Sequence, residues 1–142
     1  MVLAVVVPAV FIAGLLARPS VPTSGSGSRA LPAGAVIVKS FDQSWQKNLI
    51  HTRIYRLPDD TSKLRLQLEP SSEIPEPDLL VYWSDKQSSP APDSLAPDAQ
   101  FLGDLAQQTY VLPSGSERGG LLILYSLGHQ RVVDRAKLEA LR

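Results

Sequence analysis

From Gly34 onward the apolar residues recur mostly at every second position, the spacing of a strand that buries one face. The clearest stretch is Lys63-Leu64-Arg65-Leu66-Gln67-Leu68-Glu69, where three leucines point one way and polar side chains the other. Ala35 to Val38 and Ile50 to Leu57 predict earlier strands, Leu79 to Trp83 a strand buried on both faces, and Gln108 to Leu112 and Leu121 to Tyr125 later ones. Between them lie breakers with turn chemistry: Leu57-Pro58-Asp59-Asp60, the proline-studded stretch from Glu69 to Pro77, Ser88 to Pro97, and Pro113 to Gly120 with its Ser-Gly-Ser and Gly-Gly pairs. None of these connections carries the helical pattern that a parallel crossover needs, so the strands are expected to pair antiparallel. The predicted fold is all-β, an antiparallel β-sandwich or partly open β-barrel. Helix is expected only in the last nine residues, Asp134 to Arg142 with Asp134 as N-cap, and at the N-terminus.

That N-terminal hydrophobic helix would occupy residues 1–17, because Val2 to Ala17 form an uncharged apolar run broken only by Pro8 and Gly14. Sixteen helical residues rise about 24 Å, short of the roughly 30 Å hydrocarbon core, which suits a signal peptide or a short membrane anchor. No Lys or Arg precedes the run, and Leu15-Leu16-Ala17 departs from a small-x-small cleavage site. Arg18 and Arg29 follow it, and the positive-inside rule taken alone would keep the domain cytoplasmic. The apolar run still favours a membrane partner through residues 2–17 and an extracytoplasmic domain, periplasmic or at the cell surface. Residues 18–33, RPSVPTSGSGSRALPA, read as a flexible Pro/Ser/Gly-rich linker. Residues 34–142 then form one domain of ordinary size, without internal repeats.

Charge and cysteine content narrow the function classes. Fourteen basic residues balance fourteen acidic ones, so nucleic acid is not an expected partner. The absence of cysteine removes disulfides, thiolate metal sites and thiol nucleophiles together. The chain holds many Ser, several Asp and two histidines, His51 and His129, so the parts of a hydrolytic triad are nominally present. No Gly-x-Ser-x-Gly elbow appears, Ser116 sits in a glycine-rich turn with no helix behind it, and the histidines lack metalloprotease spacing. No catalytic residue is singled out and an enzyme is not expected. His51 and His129 are the candidate ligands, for haem from opposite sides or for a metal shared with Asp residues, although surface or hydrogen-bonded roles are commoner for such isolated histidines. No cofactor or metal is therefore expected. Tyr82 and Trp83 must point to opposite faces of their strand, one into the core and one outward as a candidate binding ring.

Three segments carry a resemblance. Glu76-Pro77-Asp78-Leu79-Leu80-Val81-Tyr82, then Leu102-Gly103-Asp104-Leu105, then Gln108-Thr109-Tyr110-Val111-Leu112-Pro113 are similar in order and spacing to the Pro-Asp-Leu-x-Val-Tyr, Leu-Gly-x-Leu and Gln-x-Tyr-x-Leu/Ile-Pro landmarks of the DM13 domain family. Ile123-Leu124-Tyr125-Ser126 looks like the family's following strand, and Ala136-Lys137-Leu138 like its closing landmark. The resemblance is best from Pro77 to Leu138. It marks Pro77, Asp78, Tyr82, Gly103, Tyr110, Pro113 and Ser126 as family positions, with Ser126 where the family usually has Cys and His129 and Val133 where aromatic residues are common. What it implies is an extracytoplasmic, membrane-linked domain, with electron transfer through that Cys proposed for the family. Serine neither forms disulfides nor cycles through sulfenic acid, and it is a poor ligand for soft metals. The expected function is thus an exported or membrane-anchored, non-catalytic binding or structural module with an unknown protein or small-molecule partner, the alternative being an extracytoplasmic redox module. The plain reading of the landmarks is structural: Asp78 closing a turn through backbone amides, Gly103 supplying a positive φ or a bulge, Pro113 ending a strand.

Overall fold

A computed structural model describes residues 30–42, 45–85 and 94–141. The predicted N-terminal helix and the linker as far as residue 29 lie outside the described residues, and among those that are described no helix is long and apolar enough to cross a membrane. The strands belong to the unit Leu31–Arg142. Its first sheet contains β1 (Val36–Phe41), β2 (Ile50–Leu57), β3 (Asp60–Pro70) and β6 (Thr109–Val111), hydrogen-bonded in the order β1-β2-β3-β6. The second contains β4 (Leu79–Ser84), β5 (Gln100–Asp104), β7 (Gly120–Ser126) and β8 (Arg131–Leu138), in the order β5-β4-β7-β8. Every pairing is antiparallel. Two four-stranded sheets sharing one core make this a sandwich, the first of the two architectures expected.

The leucine alternation in β3 sets the core. Leu64, Leu66 and Leu68 are buried with Ile50 and Ile54 of β2, and they share one cluster with Val81 and Trp83 of β4 and Leu122 and Leu124 of β7. Full burial of each such side chain contributes about 1.5–3 kcal/mol. Tyr82, one residue before Trp83, points the other way and packs on Phe101 and Tyr125, with ring centroids 5.5 and 6.1 Å away. Leu95 and Ala99 join that outer cluster, which covers the second face of β4 and β7. Tyr82 is accordingly half-buried rather than exposed, and Phe101 is the ring that faces solvent.

Two strands were not expected. β5 follows the proline-rich breaker and places Phe101 outward, so its five residues show little alternation. β8 replaces the short helix expected from Asp134 onward. Its pattern is broken by a bulge opposite Leu124 and Tyr125, which leaves Val133 between the paired residues Val132 and Asp134 and hides the period of two. Pairing along the whole of β7, and burial of Ala136 and Leu138, outweigh the weak helical tendency of the segment.

Asp134 is therefore not an N-cap but a core-facing carboxylate opposite Leu124, only 2 % exposed. The loop after β1 closes over it. The backbone N–H groups of Gln46, Lys47 and Asn48 donate to its two oxygens at 2.7–3.1 Å, the Asn48 side-chain amide donates at 2.9 Å, and the Arg135 N–H donates at 2.7 Å. A buried carboxylate is tolerated when donors surround it in this way. Trp45, next to this loop, bridges to Ala136 of β8 and donates from Nε1 to Thr52 Oγ1 of β2 at 2.9 Å.

Replacing Leu66 with Asp should abolish the cooperative thermal transition, since it puts an unpartnered charge in the shared core, whereas Arg65→Gln on the outer face should keep the transition. Circular dichroism melts of the two variants check this. Asp134→Ala strands the loop amides without an acceptor and should cost about 3–5 kcal/mol in chemical denaturation. A loss below about 1 kcal/mol would show that the loop is not held by the carboxylate.

Candidate functional site

Four of the sequence-predicted positions meet at one corner of the second sheet. The chain leaves β3, crosses through residues 71–78, and enters β4 beneath the turn that joins β7 to β8. Asp78 takes a positive φ of 50°, and its carbonyl accepts from the Leu127 N–H at 3.0 Å, so the turn is closed by backbone rather than through the carboxylate. Ser126 ends β7 with no exposed surface; its hydroxyl donates to the Pro77 carbonyl at 2.8 Å and accepts from the His129 N–H at 3.2 Å. Gly128 completes the interlock, because a Cβ there would lie 2.7 Å from Pro77 Cγ. Pro77, Asp78, Ser126 and His129 are thus brought together.

Above this base, Glu76 receives two charged or chargeable groups. The His129 ring Nδ1 lies 2.5 Å from Oε2, and the Arg131 guanidinium lies 2.5 Å from Oε1. The Glu76 side chain is 14 % exposed, with both partners more than half exposed. The hydrogen bond from His129, followed by that from Arg131, holds the Glu76 carboxyl below its ordinary range. A cleft of about 280 Å³ adjoins the group, lined by Lys47, Asn48, Pro75, Glu76 and Arg131 among others. The same loop that caps Asp134 therefore supplies one wall of this cleft. Glu76 and Arg131 were not singled out from sequence; the signal available was Glu76 fixed between two prolines, Pro75 and Pro77, which limits the directions its side chain can take.

The remaining landmarks sit elsewhere. Gly103 of β5 lies beside the register shift opposite Val81 and Tyr82, with a φ of 156°. A Cβ on it would collide with the Gln107 side chain and come within 3.1 Å of the Tyr110 ring. Tyr110 donates its hydroxyl to the Asp104 carbonyl at 2.6 Å, and burial pushes its phenol upward. Pro113 follows β6 and its carbonyl accepts from Ser116 in the next turn. Tyr82 belongs to the outer aromatic cluster described above.

His51 and His129 are not brought together. His51 stands on β2, in the other sheet, where its Nδ1 faces Asp42 Oδ1 at 2.9 Å and its Nε2 faces Ser71 Oγ at 3.2 Å. Each histidine has its own carboxylate. Among the described residues no three His, Asp or Glu side chains converge as a metal site. No family model matches the chain, and no curated protein or solved structure matches it either.

A depressed carboxyl value has a defined effect on stability. Because Glu76 in the folded chain sits below its ordinary 4.5, its clamp contributes stability above that pH and loses it as pH falls through the folded-state value. Carboxyl-carbon NMR should show Glu76 titrating below 4.5, with His129→Ala moving the midpoint upward. An unmoved midpoint in that variant would mean that His129 does not hold the carboxylate.

Proposed function

We propose that this chain is an exported or membrane-anchored DM13-like protein whose Ser126 corner is a non-catalytic binding or structural module. The observation that carries this reading is the state of Ser126. Its hydroxyl is fully buried and is spent between the Pro77 carbonyl and the His129 amide, so it closes the β3-to-β4 crossing against the β7–β8 turn. A serine in that position fits packing without supplying chemistry. The reading is supported further by the meeting of Pro77, Asp78 and Ser126, residues that the DM13 resemblance marks but that are 49 positions apart across the Pro77–Ser126 bond. The exposed part of the corner, with Lys47, Asn48, Glu76 and Arg131 around the cleft, offers charged donors and acceptors for a polar partner rather than an apolar surface. Residues 2–17 supply the membrane address, because an uncharged apolar run is favourable in hydrocarbon.

Full-length protein should partition with membranes or carry an N-terminal cleavage, and protein expressed with haem available should show neither a Soret band nor flavin absorbance. Ser126→Ala should cost about 1–3 kcal/mol through the two groups it leaves unpaired, without creating or removing colour. Soluble, unprocessed cytoplasmic protein would defeat the membrane assignment. A stoichiometric, reducible chromophore lost on replacing His51 or His129 with Ala would replace the module reading with electron transfer.

A further inference from the structure

We propose that Asp42, His51 and Ser71 form a nucleophilic relay on the outer face of the first sheet, in which Ser71 takes acyl groups from small, unhindered esters. The inference goes beyond the reading above and does not rest on it, since the three residues gather at β2, in the other sheet from Ser126, and outside the segment where the DM13 resemblance is best.

The register brings them together. Ser40 pairs with Arg53 and Phe41 with Thr52, so Asp42, the next residue, comes opposite His51. On the other side of β2, His51 pairs with Glu69 and Ile50 with Pro70, and the chain continues to Ser71, whose N–H donates to the Leu49 carbonyl at 3.0 Å. Asp42, His51 and Ser71 all fall on the outward phase of the alternation, because Ile50 and Thr52, either side of His51, are buried. One imidazole is thus held between a carboxylate just past the end of β1 and a hydroxyl just past the end of β3.

The atoms match a base and its orienter. A carboxylate can only accept, so at 2.9 Å from Asp42 Oδ1 the His51 Nδ1 carries the proton. In the neutral ring the other nitrogen, Nε2, is then an acceptor, and the Ser71 hydroxyl 3.2 Å away donates to it. This is the order carboxylate, Nδ1, Nε2, hydroxyl that activates a serine in unrelated folds, with both separations inside the usual range. The side chains of His51 and Asp42 are 44 % and 45 % exposed, and Ser71 is exposed, so a solute reaches the hydroxyl directly. Leu49, also exposed and bonded through its carbonyl to Ser71, offers an apolar contact for a short acyl chain.

In the step proposed, Ser71 Oγ bonds to the ester carbonyl carbon while its proton passes to His51 Nε2. The carbon–oxygen bond to the leaving group then breaks, the leaving oxygen takes that proton from His51, and an acyl-Ser71 ester remains. Water completes the cycle. It attacks the acyl carbon, gives one proton to His51, and releases the carboxylic acid as Ser71 Oγ recovers the proton.

The full chain, incubated with 4-nitrophenyl acetate and digested for peptide mass mapping, should carry one acetyl group on Ser71 and none on Ser62. Ser62 is the internal control, since its hydroxyl bonds a carboxylate, Asp60, without an imidazole. Nitrophenol release should vanish to background in Ser71→Ala and fall about 100-fold in His51→Gln, the scale of a lost general base, with a smaller fall in Asp42→Asn. Release that persists unchanged in Ser71→Ala, or acetylation confined to lysines or spread equally over serines, would overturn the relay. The adduct map on the unsubstituted chain decides the matter even if a variant fails to fold.

Discussion

The sandwich is closed by a carboxylate. Asp134 faces the core from β8 beside the buried Val133 and Ala136, and a charge there would be ruinous without the five N–H donors that gather on it. Four of those donors come from the loop between β1 and β2, strands of the opposite sheet. The interaction therefore does what apolar contact does elsewhere in the core, tying the two sheets together, but with a direction and a register that leucines cannot impose. Trp45 takes its place because the loop is fixed, and its indole N–H then finds Thr52. One wall of the cleft beside Glu76 is built from the same loop, through Lys47 and Asn48.

How much of this was legible depended on whether a residue's role was local. The leucines of β3 announce their strand because each alternate side chain meets the same core, and β2 and β7 are equally plain. β8 was illegible for the opposite reason. Its polar residue Asp134 points inward and its bulge removes the period, so a pattern of hydrophobic positions reads it as something else, and only the amides contributed by residues 46–48 explain why a carboxylate is there. β5 has too few residues, and too exposed an aromatic ring, to declare itself.

The sites divide along the same line. Pro77, Asp78 and Ser126 could be marked by resemblance, but their common corner could not, because it forms where a sheet crossing meets a hairpin turn. Glu76 was overlooked since its partners, His129 and Arg131, are more than fifty positions away. For Asp42, His51 and Ser71 the chain supplies no motif at all: the loop before β2 and the end of β3 place them, and strand register is a property of the folded sheet. Two histidines that look equivalent in the sequence end with different carboxylates on different sheets.

The span of the Asp134 contacts also bears on when the domain can fold. The loop amides and the carboxylate are 86 to 88 residues apart, and β8 follows the other strands described. During synthesis the first three strands emerge long before the group that holds their connecting loop, so the first sheet alone has an unfilled nest of amides and an unseated tryptophan. Contacts of such separation form late and slowly, after a large loss of chain entropy. Completion of the fold thus waits for β8 to leave the ribosome.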